Sequence, residues 1–93
     1  MDIRKKNIQN QIRNSKTLIR YKVCSYDEIY IFKDDNYYIE SLYRHPVYDG
    51  EGSYNLLTIS TDEKNAYTEY SGKFARQTHK LLEEKFHHQE KTK

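Results

Sequence analysis

The sequence IYIFKDDNYYIESLY, residues 29–43, constrains the fold of this chain more than any other stretch. Two runs rich in isoleucine and aromatic side chains flank an Asp-Asp-Asn group at 34–36. Short Asp and Asn side chains hydrogen bond to nearby backbone groups and tolerate left-handed geometry, so they favour a tight turn. The pattern therefore predicts an antiparallel hairpin made of two strands, residues 28–33 and 37–44.

Segments on either side of this hairpin extend the predicted sheet. Residues 17–24 alternate between two faces with a period of two, which is typical of a strand. The loop at 45–53 holds the single proline and two of the three glycines, and the strand pattern resumes at 54–59. The sequence thus predicts a four-stranded antiparallel meander over residues 17–60.

The N-terminal segment has a weak helical signal. Residues 2–14 contain good helix formers, but only Ile8 and Ile12 are spaced to share one face. Such a segment gains little from burying an apolar stripe, and short helices are marginal without tertiary packing. We therefore predict that residues 1–16 form a short polar helix or a basic arm.

The C-terminal segment has a stronger helical signal. Apolar side chains recur at helical spacing between residues 67 and 82, and Ser60 with Glu63 has the spacing of a capping box. These features predict one long helix over 61–88. A fifth strand at 66–70 followed by a shorter helix is the alternative that the sequence leaves open.

These elements predict one small α+β domain covering residues 1–93. The predicted long C-terminal helix packs across one face of the antiparallel sheet. A single helix covers only part of one sheet face, so the other face must be solvated, covered by the N-terminal segment, or covered by a partner.

Tyrosine is unusually frequent in the predicted sheet, with eight of the ten tyrosines lying between residues 21 and 54. Tyrosine suits a half-buried pleated surface, and strand propensity is one explanation. Contact with a partner is the other, because tyrosine gives a large contact area at a low cost in entropy. If the isoleucines at 29, 31 and 39 face the core, three aromatic side chains project outward. These are Tyr30, Phe32 and Tyr38.

Charge is strongly segregated along the chain, although the net charge is only +2. Residues 1–22 carry seven basic side chains and one acidic side chain, whereas residues 23–63 carry nine acidic and two basic side chains. Such segregation often marks interaction surfaces, and a basic arm lying on an acidic sheet is an equally physical interpretation.

No motif in the sequence predicts catalysis, a cofactor or a metal. Asp34 and Asp35 are better explained as turn residues than as a general acid and base. His79, Glu83 and His87 follow each other at helical spacing, but a zinc site would need ligands that the sequence does not cluster with them. We therefore expect a protein that is not an enzyme.

Cellular location is predicted from cysteine and hydropathy. The single cysteine excludes an internal disulfide, which fits a reducing compartment. No run approaches the ~20 apolar residues of a membrane span, and the N-terminus lacks the apolar segment of a signal peptide. We expect a soluble cytoplasmic protein that does not enter a membrane.

The leading hypothesis is a small non-enzymatic binding protein that inhibits or modulates a larger nucleic-acid-processing protein by occluding a basic surface of it. Its partner-binding residues are predicted on the outward aromatic patch and in the acidic loop: Tyr30, Phe32, Tyr38, Glu40, Tyr48, Asp49 and Glu51. A short chain rich in Lys, Asn, Ile and Tyr is typical of accessory proteins of phages and mobile elements.

Two alternative functions are also compatible with the sequence. A small nucleic-acid-binding regulator would grip phosphates with the basic arm and the C-terminal helix. The residues of that hypothesis are Arg4, Lys5, Lys6, Arg13, Lys16, Lys73, Arg76 and Lys80. Self-association into a homodimer, through an exposed sheet face or an open edge strand, is the other alternative.

Overall fold

The computed structural model describes residues 3–61 and 66–91 of the chain. It contains two helices and five strands. In chain order these are α1 (Ile3–Asn14), β1 (Arg20–Cys24), β2 (Asp27–Lys33), β3 (Tyr37–Arg44), β4 (Ser53–Ser60), β5 (Ala66–Ser71) and α2 (Gly72–Lys91). The predicted α+β class, with an antiparallel sheet, a short N-terminal helix and a long C-terminal helix, is confirmed.

The sheet has five strands in the order β1-β2-β3-β4-β5, and every neighbouring pair is antiparallel. The prediction of four strands followed by one helix over 61–88 was therefore wrong, and the fifth-strand alternative describes the chain. Tyr67 and Tyr70 fit the helical spacing, but as strand residues they pair with Ile59 and Leu56 of β4. That pairing satisfies backbone groups that β4 would otherwise expose as an edge.

The capping-box prediction also fails at its first residue. Ser60 is the last residue of β4, where it pairs with Tyr37 and Ala66, and Glu63 lies outside the described residues. Helix α2 begins instead at Gly72, whose φ of 70° lies in the left-handed region. Glycine adopts this conformation without a steric penalty, which allows the chain to change from strand to helix within one residue.

Both helices pack on the same face of the sheet. Helix α2 lies across β2 to β5, and α1 lies beside it, with Ile8 and Ile12 in the same buried core. The Nζ atom of Lys85 on α2 donates hydrogen bonds to the carbonyl oxygens of Ile12 and Ser15 at the C-terminal end of α1. A lysine at this position satisfies carbonyl groups that a helix end leaves unpaired.

Strand register decides which side chains reach the core, and it reverses the predicted faces of β2. Phe32 is paired with Ile39 and Tyr30 with Ser41, so even-numbered residues of β2 lie opposite odd-numbered residues of β3. Tyr30 and Phe32 are 2% and 0% exposed beneath the helices. The prediction that they project outward was wrong, because it assumed that odd residues of both strands share a face.

Candidate interaction surfaces

The face of the sheet opposite the helices is uncovered by any described element, and we call it the open face. Because side chains alternate along a strand, the open face carries the odd-numbered residues of β2 and β4 and the even-numbered residues of β3. Its centre is apolar and its side chains are half-buried by one another: Ile29, Ile31, Tyr38, Leu42, Leu57 and Ile59. The open face is therefore mainly aliphatic, whereas an aromatic patch was predicted.

Glu40 lies in the middle of this apolar centre. Its paired neighbours across the sheet are Ile31 on β2 and Leu57 on β4, and Tyr38 and Leu42 flank it along β3. Burial first, and then the charge of Glu40 and a side-chain interaction with it, raise the pKa of Tyr38. One carboxylate is thus surrounded on four sides by larger, mostly apolar side chains.

Charged and polar side chains form the rim of the open face. Arg20 and Lys22 lie on the edge strand β1, and Lys33 ends β2. On the opposite edge, the Tyr67 hydroxyl donates a hydrogen bond of 2.7 Å to Glu69 of β5. An apolar centre inside a charged rim is the usual composition of a protein–protein interface.

The predicted partner-binding residues are split between three places. Tyr30 and Phe32 lie in the core, and Tyr38 and Glu40 lie on the open face. The remaining residues belong to the loop at 45–52, which joins β3 to β4 at the end of the sheet. They are Tyr48, which is 87% exposed, and the exposed acids Asp49 and Glu51. Of these residues, the open face holds Tyr38 and Glu40.

The loop at 45–52 is attached on both sides. The backbone N–H of His45 donates to the carbonyl oxygen of Tyr26 in the β1–β2 turn, at 2.9 Å. Gly52 lies against the ring of Tyr43, where an added Cβ would overlap the tyrosine hydroxyl. Tyr43 belongs to the helix-covered face, so this loop closes the end of the core and does not extend the open face.

A buried polar cluster lies between α2 and the sheet. Ser41 Oγ and His79 Nδ1 are 2.8 Å apart, and the two residues are 1% and 4% exposed. The rings of Tyr30 and Tyr54 lie 5.1 and 5.3 Å from the imidazole. Burial lowers the pKa of His79, and the charge of Glu28 and an interaction with the backbone of Ser41 act in the opposite direction. A serine this deeply buried offers no access to a substrate, so the pair satisfies polar groups in the core.

The histidines and acids of α2 do not converge on one point. His79 faces the core, whereas Glu83 is half-buried and His87 is exposed. Over residues 3–61 and 66–91, no group of three or more His, Cys, Asp or Glu side chains has the arrangement of a metal site. Asp34 is a turn residue, since its carboxylate accepts the backbone N–H groups of Asn36 and Tyr37.

The outer side of the two helices carries most of the predicted nucleic-acid-binding residues, and we call it the helical surface. Its basic side chains are all exposed: Arg4, Lys5, Lys6, Arg13, Lys73, Arg76 and Lys80. Lys16 is exposed in the segment that follows α1. Lys5 also lies over the Phe74 ring, 5.4 Å from its centre. Because α1 and α2 share one side of the sheet, basic residues from opposite ends of the chain lie on that side, together with the exposed acid Glu84.

Comparison with known proteins adds no family to this description. No family model matches the chain, and neither a curated protein nor a solved structure matches it. Neither helix, taken over the residues described, is long and apolar enough to cross a membrane.

Proposed function

We propose that this chain is a non-enzymatic binding protein that docks its open face on a partner protein and acts by occluding the surface that it covers. One observation carries the proposal: both helices cover the same face of the sheet, and the aliphatic centre of the other face has no cover among the described elements. An apolar patch of this kind, rimmed by polar residues, is often an interaction site. The finer form of the proposal is that the partner is a larger nucleic-acid-processing protein of a host or a mobile element.

The size of the open face is sufficient for a small protein–protein interface. Five strands spaced about 4.8 Å apart, each about six residues long at about 3.3 Å per residue, give a face of roughly 500 Å². Covering it buries on the order of 1,000 Å² over both partners, which is the size of weak or transient protein–protein interfaces. Extra contacts from the rim would increase this area.

Differential capture from a lysate of the source cells tests the proposal. The bait is the full chain, compared with Leu57→Asp, which places a charge in the apolar centre, and with Lys80→Asp, a matched change on the helical surface. We expect a protein that survives nuclease treatment and is retained by the wild type and by Lys80→Asp, but is lost with Leu57→Asp. Equal recovery with all three folded baits would contradict docking through the open face.

The helical surface supports a second candidate function, binding of nucleic acid. The specific observation is that the fold brings the basic residues of α1 and α2 together on the side away from the open face. Lys6 and Arg13 lie opposite the buried Ile8 and Ile12 on α1, and Lys80 points away from the sheet on α2. Phosphate contacts of this kind give affinity without sequence specificity.

Fluorescence anisotropy with a labelled DNA duplex tests the second candidate. If Lys6, Arg13 and Lys80 each neutralise a phosphate, the logarithm of the affinity falls with the logarithm of salt with a slope of about −3. The double variant Lys6→Glu/Lys80→Glu should reduce that slope, and Leu57→Asp should leave it unchanged. A folded wild type that does not bind the duplex at low salt eliminates this candidate.

A further inference from the structure

We infer that the partner of the open face presents an arginine side chain to Glu40 from within an apolar surface. The inference rests on the proposed function, because it names the chemistry of what the open face binds. It follows from the position of one carboxylate among mostly apolar side chains and from the lack of an ion-pair partner for it among the described residues.

Glu40 has the surroundings of an interface centre and not of a rim. Ile31 and Leu57 flank it across the sheet, with Cβ atoms of directly paired residues about 5 Å apart. Any surface that covers these two side chains must also cover the carboxylate between them. Along β3, the flanking residues are Tyr38, which carries one hydroxyl donor, and Leu42, which carries none, whereas a carboxylate accepts several hydrogen bonds.

No described basic side chain forms an ion pair with this carboxylate, although Lys33, which pairs with Tyr38, lies on the same face. The two ion pairs found there join Arg44 to Asp27 and His45 to Glu28. Within residues 3–61 and 66–91, Glu40 therefore has no basic side chain within ion-pair distance. Removing an unpaired carboxylate from water is strongly unfavourable, so a docked partner must provide a donor at this point.

Arginine fits this position better than lysine. Its planar guanidinium forms two parallel hydrogen bonds with a carboxylate, and it is less strongly hydrated than an ammonium group. It also stacks on aromatic rings, and Tyr38 lies next to Glu40 on the open face. Arginine in a desolvated pocket is among the commonest anchors of protein interfaces.

A second copy of the chain is a poorer occupant. A twofold axis parallel to β3 would place the basic edge strand β1 over the acidic Glu69 of β5, which is favourable. The same axis would place Glu40 of one copy against Glu40 of the other at the centre of the interface. Like charges in a desolvated centre act against self-pairing.

Peptide display tests the inference without knowledge of the natural partner. A random peptide library is selected on the immobilised full chain and depleted on Leu57→Asp, so that only binders that need the open face remain. Circular dichroism is used to check that the depletion variant is folded. If it is not, Ile31→Lys replaces it. The probes are then the synthetic peptides with the highest enrichment, measured by fluorescence anisotropy.

We expect the enriched peptides to contain an arginine flanked by apolar residues. Glu40→Gln should weaken their binding by about tenfold or more, because it removes a charge-assisted pair. The matched change Glu84→Gln on the helical surface should alter binding by less than about threefold, since Glu84 lies away from the open face. Replacing the peptide arginine by citrulline should weaken binding to the wild type and have little effect on binding to Glu40→Gln.

Three outcomes would overturn the inference, and they differ in what they say of the proposed function. Peptides that need the open face but bind Glu40→Gln as well as the wild type reject the arginine and leave the docking proposal standing. A selection in which no peptide distinguishes the wild type from a folded Leu57→Asp rejects both. A wild type that is a dimer by sedimentation equilibrium, with Leu57→Asp monomeric, makes a second copy the occupant.

Discussion

Phe32 lies directly opposite Ile39 in the antiparallel pair of β2 and β3, and both side chains are fully buried beneath the two helices. This pairing fixes the face of every other residue in the two strands, because side chains alternate along a strand. Tyr30 is consequently a core residue, and Glu40 is an open-face residue. The division between the helix-covered face and the open face follows from that single register.

The first prediction compares adjacent residues of β2 that point to opposite faces. Phe32→Ala should lower the free energy of unfolding by about 3–5 kcal/mol, because it leaves a cavity under the helices. Ile31→Ala, on the half-buried open face, should lower it by less than about 1.5 kcal/mol. Urea denaturation followed by circular dichroism measures both. A larger loss of unfolding free energy for Ile31→Ala than for Phe32→Ala would show that the core does not lie on the helix-covered face.

The second prediction concerns the turn between β2 and β3. One oxygen of Asp34 accepts the backbone N–H groups of Asn36 and Tyr37 at 2.9 and 2.8 Å, and the other accepts the Gln11 side chain at 2.6 Å. Asp34→Ala should therefore destabilise the fold by about 1–3 kcal/mol. Asp35 is exposed, and its carbonyl, which accepts the Thr61 hydroxyl, is unchanged by substitution. Asp35→Ala is the control and should cost less than about 0.5 kcal/mol in the same denaturation experiment.

Part of this arrangement is readable from the sequence, and part depends on tertiary pairing. The Asp-Asp-Asn turn and the alternating runs beside it specify the β2–β3 hairpin locally. The register is not local information: shifting it by one residue exchanges Phe32 for Ile31 in the core, and both are apolar. The tyrosines could not resolve the choice, since Tyr30 is buried and Tyr38 is on the open face.

For a related reason, sequence periodicity could not predict the fifth strand or the packing of both helices on one face of the sheet. Residues 66–71 fit helical spacing and strand alternation equally well, and their pairing with β4 decides between the two. Helix α1 has only Ile8 and Ile12 to bury, which does not specify a sheet face. Because α1 packs beside α2, the open face stays uncovered. The sequence could therefore predict that an uncovered surface exists, but not which face of the sheet it is.

The third prediction concerns pH. Burial holds the pKa of His79 below the ordinary value of 6.5, so the unfolded chain binds a proton more readily than the folded chain. Stability contributed by neutral His79 is therefore present above pH 6.5 and is lost as the pH falls below it, with a slope of at most about 1.4 kcal/mol per pH unit from this group. The groups around His79 are Ser41, Glu28 and the rings of Tyr30 and Tyr54.

Urea denaturation between pH 7.5 and pH 5 measures this slope. His79→Gln keeps a polar group near Ser41 but removes the titration, so its stability should decrease less steeply over the same range. His87→Gln, on the exposed side of α2, is the matched control and should follow the wild type. Parallel curves for the wild type and His79→Gln would show that another group controls the acid sensitivity.

The last prediction concerns α1, which carries both core residues and part of the basic helical surface. Ile12 is 0% exposed, so Ile12→Ala should destabilise the fold by about 2–4 kcal/mol. Arg13, its neighbour in sequence, is exposed, and Arg13→Glu should change stability by less than about 0.5 kcal/mol. Deleting residues 1–16 would remove core side chains together with the charges, so loss of nucleic-acid binding in such a deletion could reflect unfolding alone. Charge substitutions such as Arg13→Glu separate the two effects. If Arg13→Glu lost as much stability as Ile12→Ala, Arg13 would belong to the packing of α1 and not to the exposed helical surface.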